Sequence, residues 1–129
     1  EGGFAPNLPS NEAALQIITI ADSSFETYRR RVDFIQKYVF PGGMLPSLSA
    51  LKEQTARAML EWRGHFGFAR DYARTLCEWR ERFLKNWRDI QPLGFDERFK
   101  RLWTYYLCYC EAGFKGGSID VMQLSLAKP

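Results

Sequence analysis

Three cysteines, a single histidine and a run of three arginines stand out in this 129-residue chain as side chains able to do chemistry. Cys108 and Cys110 form a C-x-C inside a helical pattern and Cys77 lies far from both, so the set lacks metal-ligand spacing. They read as buried thiols of a reducing compartment. His65 has no serine or cysteine beside it in a triad-like local motif and reads as a surface or strand-end residue. Arg29, Arg30 and Arg31 read as a solvated helix face, and Asp96, Glu97 and Arg98 as the polar start of a helix. The stretch "DFIQKYVFPGGMLPS" over positions 33–47 asks for more, because an aromatic-rich helix runs into two prolines, two glycines and the apolar pair Met44 and Leu45. One breaker would stop a helix. From the residues alone, the excess reads as a helix stop closed by a hydrophobic plug.

Composition limits what these residues can mean. A chain of this length with 46% hydrophobic residues builds one core and leaves no room for a second domain. Its 18 basic and 15 acidic residues are interspersed, so a net charge of +3 argues only weakly for an anionic partner and no nucleic-acid partner is expected. No apolar run has the length to span a bilayer, and the first residues lack the basic-then-apolar order of a signal peptide. A cytoplasmic protein, at most peripheral to a membrane, is expected.

The elements that must position these residues follow from periodicity. Positions 1–13 carry Gly, Pro and Asn without an apolar period and read as an irregular lead or expression remnant, with the folded part over 14–129. "ALQIITI" suits a strand buried on both faces. One amphipathic helix is expected over 22–40, with Phe25, Tyr28, Val32, Ile35 and Val39 on its apolar face and Ser23 with Glu26 as its capping box. A helix over 48–60, capped by Ser47 or Ser49, precedes a strand at "EWRGHFGF". A long helix from 72 to 90 places Leu76, Trp79, Phe83 and Trp87 on one face and Arg74, Arg80, Lys85 and Arg88 on the other. A helix over 96–114 carries Phe99, Leu102, Trp103, Tyr106 and Cys110 on one side, and "IDVMQLSLAKP" alternates as a terminal strand. The order gives an α/β layer with a helix-facing core that includes Val32, Ile35, Leu76 and Trp79. Truncating Trp79 to alanine there is expected to cost about 3–5 kcal/mol.

Together, "DFIQKYVFPGGMLPS", "DYARTLCEWRERF" and "GFDERFKRLWTYYLCYCEAGFKGGSIDVMQLSL" resemble the C-terminal part of cyclopropane-fatty-acyl-phospholipid synthases, relatives of the mycolic acid cyclopropane synthases. The similarity covers roughly positions 15–128, in order and near the family's spacing. It implies the C-terminal portion of a class I S-adenosylmethionine-dependent methyltransferase, a Rossmann-like fold, here about three strands with packed helices. The last strand would run antiparallel between the other two. The glycine-rich cofactor loop of such a fold has no counterpart, since Gly2-Gly3, Gly42-Gly43 and Gly116-Gly117 do not follow a strand and open a helix. No residue here is assigned to S-adenosylmethionine, and the segment alone is expected to be inactive.

The resemblance also implies roles. The family adds a methylene from S-adenosylmethionine to the double bond of an unsaturated phospholipid acyl chain, through a carbocation that needs apolar walls, aromatic faces and little water. By resemblance, Tyr38, Phe40, Met44 and Leu45 lie at the acyl-chain entrance, and the arginine run beside them could draw anionic headgroups at a peripheral membrane surface. The family's base is a bound bicarbonate. Tyr72 stands where a tyrosine hydroxyl contacts it. Gln16 and Ile18 stand where many members have a histidine and then an isoleucine whose backbone helps bind the ion. Glutamine can donate a hydrogen bond there but cannot become cationic. An exposed sheet edge would invite pairing, so a homo-oligomer is also within expectation. The alternative reading is a non-catalytic lipid-binding or protein-interaction remnant of the same fold.

Overall fold

The computed structural model describes residues 11–129. Its elements are β1 (Glu12–Ile20), α1 (Asp22–Arg29), α2 (Phe34–Tyr38), α3 (Leu48–Arg57), β2 (Glu61–Gly67), α4 (Ala69–Lys85), α5 (Trp87–Ile90), α6 (Glu97–Lys115) and β3 (Ile119–Ala127). They form two units, one of residues up to Phe68 together with those from Ser118, the other of Ala69–Gly117. The irregular lead expected over 1–13 lies outside the described residues as far as position 10, while Glu12 and Ala13 already belong to β1.

The first unit holds a three-stranded sheet in the order β1-β3-β2, with β3 antiparallel to both neighbours. The last strand of the chain is thus the middle one. Val121, Leu124, Leu126 and Ala127 of β3 are buried, as is Thr19 of β1. β1 is not buried on both faces as its apolar run suggests. Glu12, Ala14 and Gln16 alternate outward, so a small residue and two polar ones occupy a face that a parallel core strand would fill with branched side chains. β2 carries a bulge between Trp62 and Gly64. Gly67 closes β2 against the Asp120 side chain, whose Oδ2 would clash with any Cβ added there. α3 lies on β2 and sets the Lys52 ammonium 5.5 Å from the centre of the Trp62 ring.

The single helix expected over 22–40 is two helices. α1 is preceded at its cap position by Ala21, which has no side-chain acceptor, while Asp22 in its first turn accepts from Ser49 N at 3.2 Å and Ser49 Oγ at 2.8 Å. The Ser23–Glu26 capping box is therefore not used. A capping box does form at α2, where Asp33 accepts from Gln36 N at 2.8 Å and Gln36 Oε1 accepts from Asp33 N at 3.1 Å. That cap requires extended backbone at Asp33, which breaks the helix ahead of it. Val32 falls in the break and is 73% exposed, so it leaves the core face.

The second unit is an antiparallel helical hairpin of α4 and α6, linked through α5 and a 3-10 turn at Gln91–Leu93. The helix expected over 72–90 begins earlier, at Ala69, and stops at Lys85, where Asn86 turns its side-chain amide back to Arg82 O at 2.7 Å. Asp96 caps α6 by accepting from Phe99 N at 2.8 Å. Ala73, Leu76, Trp87, Leu107, Cys110 and Phe114 are the buried apolar residues. Phe83, Phe99 and Trp103 continue this core as a half-buried aromatic ladder.

Trp79 departs from expectation, because it flanks the Ala73–Leu76 stripe and remains 44% exposed. A half-exposed indole loses only part of its burial on truncation. Trp79→Ala is expected to destabilise by about 1–2 kcal/mol, below the roughly 3–5 of a buried tryptophan. Urea unfolding of the two chains measures it, and a loss in the upper range would place the indole in the core.

Candidate functional site

In the first unit, the loop after α2 is rigidly tied yet outwardly apolar. Gln36 Nε2 donates to Gly43 O at 2.8 Å, and Gly43 N donates to Phe40 O at 3.0 Å. Leu45 N donates to the Tyr28 hydroxyl at 3.0 Å. Burial pushes the Tyr28 phenol above its ordinary value and the Leu45 hydrogen bond opposes it, so Tyr28 stays a neutral strut. Ile20 N donates to Pro46 O at 2.9 Å, and Ser47 caps α3 by accepting from Ala50 N at 3.1 Å. Gly42 takes the left-handed conformation at φ 81°, which a residue with a Cβ adopts only under strain. Gly42 thus supplies a conformation the loop needs, and Met44 stays exposed rather than closing the loop as a plug.

What the loop displays is Tyr38, Phe40 and Met44, all more than half exposed, with Leu45 half-buried behind them. Tyr38 meets Phe34 with ring centres 5.5 Å apart, and the Lys37 ammonium stands 5.1 Å from the Tyr38 ring centre. Arg29 and Arg30 both pair with Glu26, at 2.9 and 3.6 Å. Three of the four predicted substrate-side residues are thus exposed on the end of α2 and the loop after it, with the Lys37 cation beside Tyr38.

Gln16 and Ile18 lie two residues apart on one face of β1, opposite Gln123 and Val121 of β3. The Gln16 carbonyl accepts from Gln123 Nε2 at 3.1 Å, which fixes the amide and turns its NH2 away from that bond. The backbone polarity also follows from the register. Ala21 N donates across to Ser118 O, whereas Ile20 N donates to Pro46 O on the opposite edge. Alternation along the strand then directs the N–H groups of Gln16 and Ile18 to the edge away from β3.

Tyr72 stands in the second unit, at the start of α4. Its ring meets Phe114 edge-on at 5.0 Å and Trp79 edge-on at 6.0 Å. Burial, and then the neighbouring Cys110, push its phenol upward, so it remains a neutral donor. Tyr106, read only as a core residue in the sequence, joins this cluster. Its phenol is pushed up to about 12 by burial, by the charge of Cys110 and by a hydrogen bond with that thiol. No spacing in the sequence pairs Tyr72 with Tyr106, because helices that meet only in the hairpin bring them together.

A second polar cluster was also hidden. Arg80, assigned by periodicity to the solvated face, turns inward to Glu111, which is 6% exposed. Glu111 holds Lys115 at 2.6 Å and Arg80 at 3.0 Å. The Lys115 hydrogen bond and the Arg80 charge keep its carboxyl below the ordinary range despite burial. His65 is exposed, as expected, and accepts from Trp62 Nε1 at 3.3 Å. Among the described residues no group of three or more His, Cys, Asp or Glu is placed to hold a metal.

A sheet whose final strand runs antiparallel between two parallel ones, joined through helices, defines the C-terminal portion of a Rossmann-like methyltransferase. Residues 9–124 match the mycolic acid cyclopropane synthetase family, and the chain belongs to it. It is 40% identical over 121 residues to a tuberculostearic acid methyltransferase of Mycobacterium tuberculosis, covering 93% of this chain and 28% of that protein. It is 37% identical over 97 residues to the cyclopropane-fatty-acyl-phospholipid synthase of Escherichia coli K12, covering 74% of this chain and 24% of that enzyme. Among solved structures, a cyclopropane synthase from Mycobacterium tuberculosis superposes with a TM-score of 0.80 at 26% identity, over 94% of this chain and 46% of the other. A mycolic acid cyclopropane synthase complexed with SAH and CTAB gives 0.81 at 27%, with the same coverage. The chain therefore spans about a quarter of these curated relatives and under half of these solved ones.

Proposed function

We propose that this chain is the acyl-chain and anion-binding portion of an S-adenosylmethionine-dependent cyclopropane synthase acting on unsaturated phospholipid acyl chains. The observation that carries this reading is the loop of the first unit, held by Gln36 and Tyr28 yet presenting Tyr38, Phe40 and Met44 outward. A loop stiffened by hydrogen bonds while showing large apolar side chains suits a greasy ligand, since the ordering entropy is spent in folding rather than in binding. Leu45, half-buried, would form the inner wall.

The chain's donors suit an anion. The Gln16 NH2, the Ile18 backbone N–H and the Tyr72 hydroxyl can each donate a hydrogen bond, and no carboxylate is among them. A bicarbonate would supply the base for proton removal in the complete protein, the Gln16 and Ile18 donors being offered by the first unit and the Tyr72 hydroxyl, separately, by the second. S-adenosylmethionine does not fit the residues described. The turn from β1 into α1 is Ala21 and that from β2 into α4 is Phe68, so neither is glycine-rich, and Gly67 at the end of β2 is already pressed on Asp120. Its holding is assigned to the part of the relatives that this chain does not span.

Among the described residues no helix is long and apolar enough to cross a membrane. We place the protein in the cytoplasm, peripheral to the membrane whose acyl chains it would use. The test replaces Tyr38, Phe40 and Met44 together by serine in the complete protein. The expected result is a rise of about tenfold or more in KM for phospholipid vesicles, kcat staying within about twofold, as loss of uniform binding requires. Unchanged KM would remove the loop from the substrate path.

A further inference from the structure

Within the helical hairpin, Arg80 offers its two terminal guanidinium nitrogens to two different thiols. Nη1 donates to Cys108 Sγ at 2.8 Å and Nη2 to Cys77 Sγ at 3.7 Å. Cys77 comes from α4 and Cys108 from α6, 31 positions on in the sequence, so only the fold brings them to one cation. Both thiols are half-buried, while Cys110 is buried. Cys108 also lines an open groove with Lys100, Arg101, Thr104 and Tyr105. The nearby carboxylates are accounted for. Glu111 is countered by Lys115 and Arg80, Glu97 lies 4.0 Å from Lys100, and Glu81 stands 3.8 Å from Cys77 Sγ.

We propose that Cys77 and Cys108 form an oxidant-responsive dithiol, a covalent modification site at which Cys108 reacts first with a hydroperoxide and Cys77 then closes a disulfide onto it. Cys108 leads for two reasons. Its sulfur is nearer the guanidinium and opens on the groove, whereas the Cys77 sulfur has a carboxylate beside it. A cation against sulfur stabilises the negative charge that attack requires, and a neighbouring anion opposes it.

The chemistry balances. The Cys108 sulfur gives an electron pair to one peroxide oxygen, the O–O bond breaks, and the departing oxygen takes protons and leaves as water. Cys108 becomes a sulfenic acid, oxidised by two electrons. Cys77 attacks that sulfur, the S–O bond breaks, a second water leaves, and the S–S bond forms. Two thiols and one hydrogen peroxide thus yield one disulfide and two waters. Closure requires Arg80 to release the two sulfurs to which its guanidinium donates. Its side chain is 26% exposed and so has a way out, and Glu111 keeps Lys115 when it goes.

The test treats the 129-residue chain with equimolar hydrogen peroxide, follows thiol loss, and maps the products by mass spectrometry. The expected product is a Cys77–Cys108 cross-link reversed by dithiothreitol, with Cys110 left alkylatable after unfolding. Thiol loss should be on the order of tenfold faster in the folded chain than in urea. C77S should stop at a Cys108 sulfenic acid trapped by dimedone, and C108S should lose the acceleration. Circular dichroism of both serine variants confirms that they fold. Equal rates folded and unfolded, dimedone capture first at Cys77, or oxidation of the unaltered chain without the cross-link would each overturn the assignment.

Discussion

Replacing Phe114 with alanine should destabilise the protein by about 3–5 kcal/mol, the range for truncating a buried aromatic residue. Phe114 is among the largest fully buried side chains and is 2% exposed. It lies on α6 and makes a T-shaped pair with the Tyr72 ring of α4, the centres 5.0 Å apart. Truncation therefore removes buried area, opens a cavity in the hairpin and forfeits an edge-to-face aromatic pair. A loss of this size is a large part of the stability of an ordinary domain. Urea denaturation of wild type and Phe114→Ala, with Phe114→Leu as the volume-conserving control, measures it. A midpoint that hardly moves in the alanine variant would mean that the hairpin is not packed through this ring.

The second large effect is functional and belongs in the complete enzyme. If the Tyr72 hydroxyl helps to hold the bicarbonate base, Tyr72→Phe keeps the ring against Phe114 and Trp79 and removes one donor. Turnover should fall by up to roughly a hundredfold, the scale of losing one oxyanion-type donor. Added bicarbonate should restore part of the rate, because mass action refills a weakened site. The upward push on the Tyr72 phenol keeps it protonated through neutral pH, so the donor is present under assay conditions. Native turnover with unchanged bicarbonate dependence would leave Tyr72 as a packing residue.

Much of this architecture was legible before any coordinates. The strands carry alternation or β-branched runs, and Asp96 caps α6 where an acidic residue precedes an apolar period. The family's strand order then placed β3 in the middle. The failures are equally specific. The apolar period runs unbroken from Phe25 to Val39, which conceals the Asp33–Gln36 capping box that divides the helix. Trp79 shares the period of Leu76 but not its burial, since periodicity gives a face and not the width that the partner helix covers. Arg80 reads as solvated because sequence cannot show a buried carboxylate waiting on another helix. The Gln16 amide was visible as a residue type, whereas its fixed orientation depends on Gln123, 107 positions away.

That separation has a kinetic side. Among the described residues β1 and β2 do not pair with each other, and each pairs with β3, which follows both in sequence. During synthesis their ladders with β3 cannot form until β3 appears, while the helical hairpin between β2 and β3 can already form. Closing the β1–β3 ladder joins the two ends of the described chain and carries a large loop-closure entropy. The β3 ladders are thus late contacts of high sequence separation, and the edges that await them are open to misassociation until the segment Ile119–Ala127 is made.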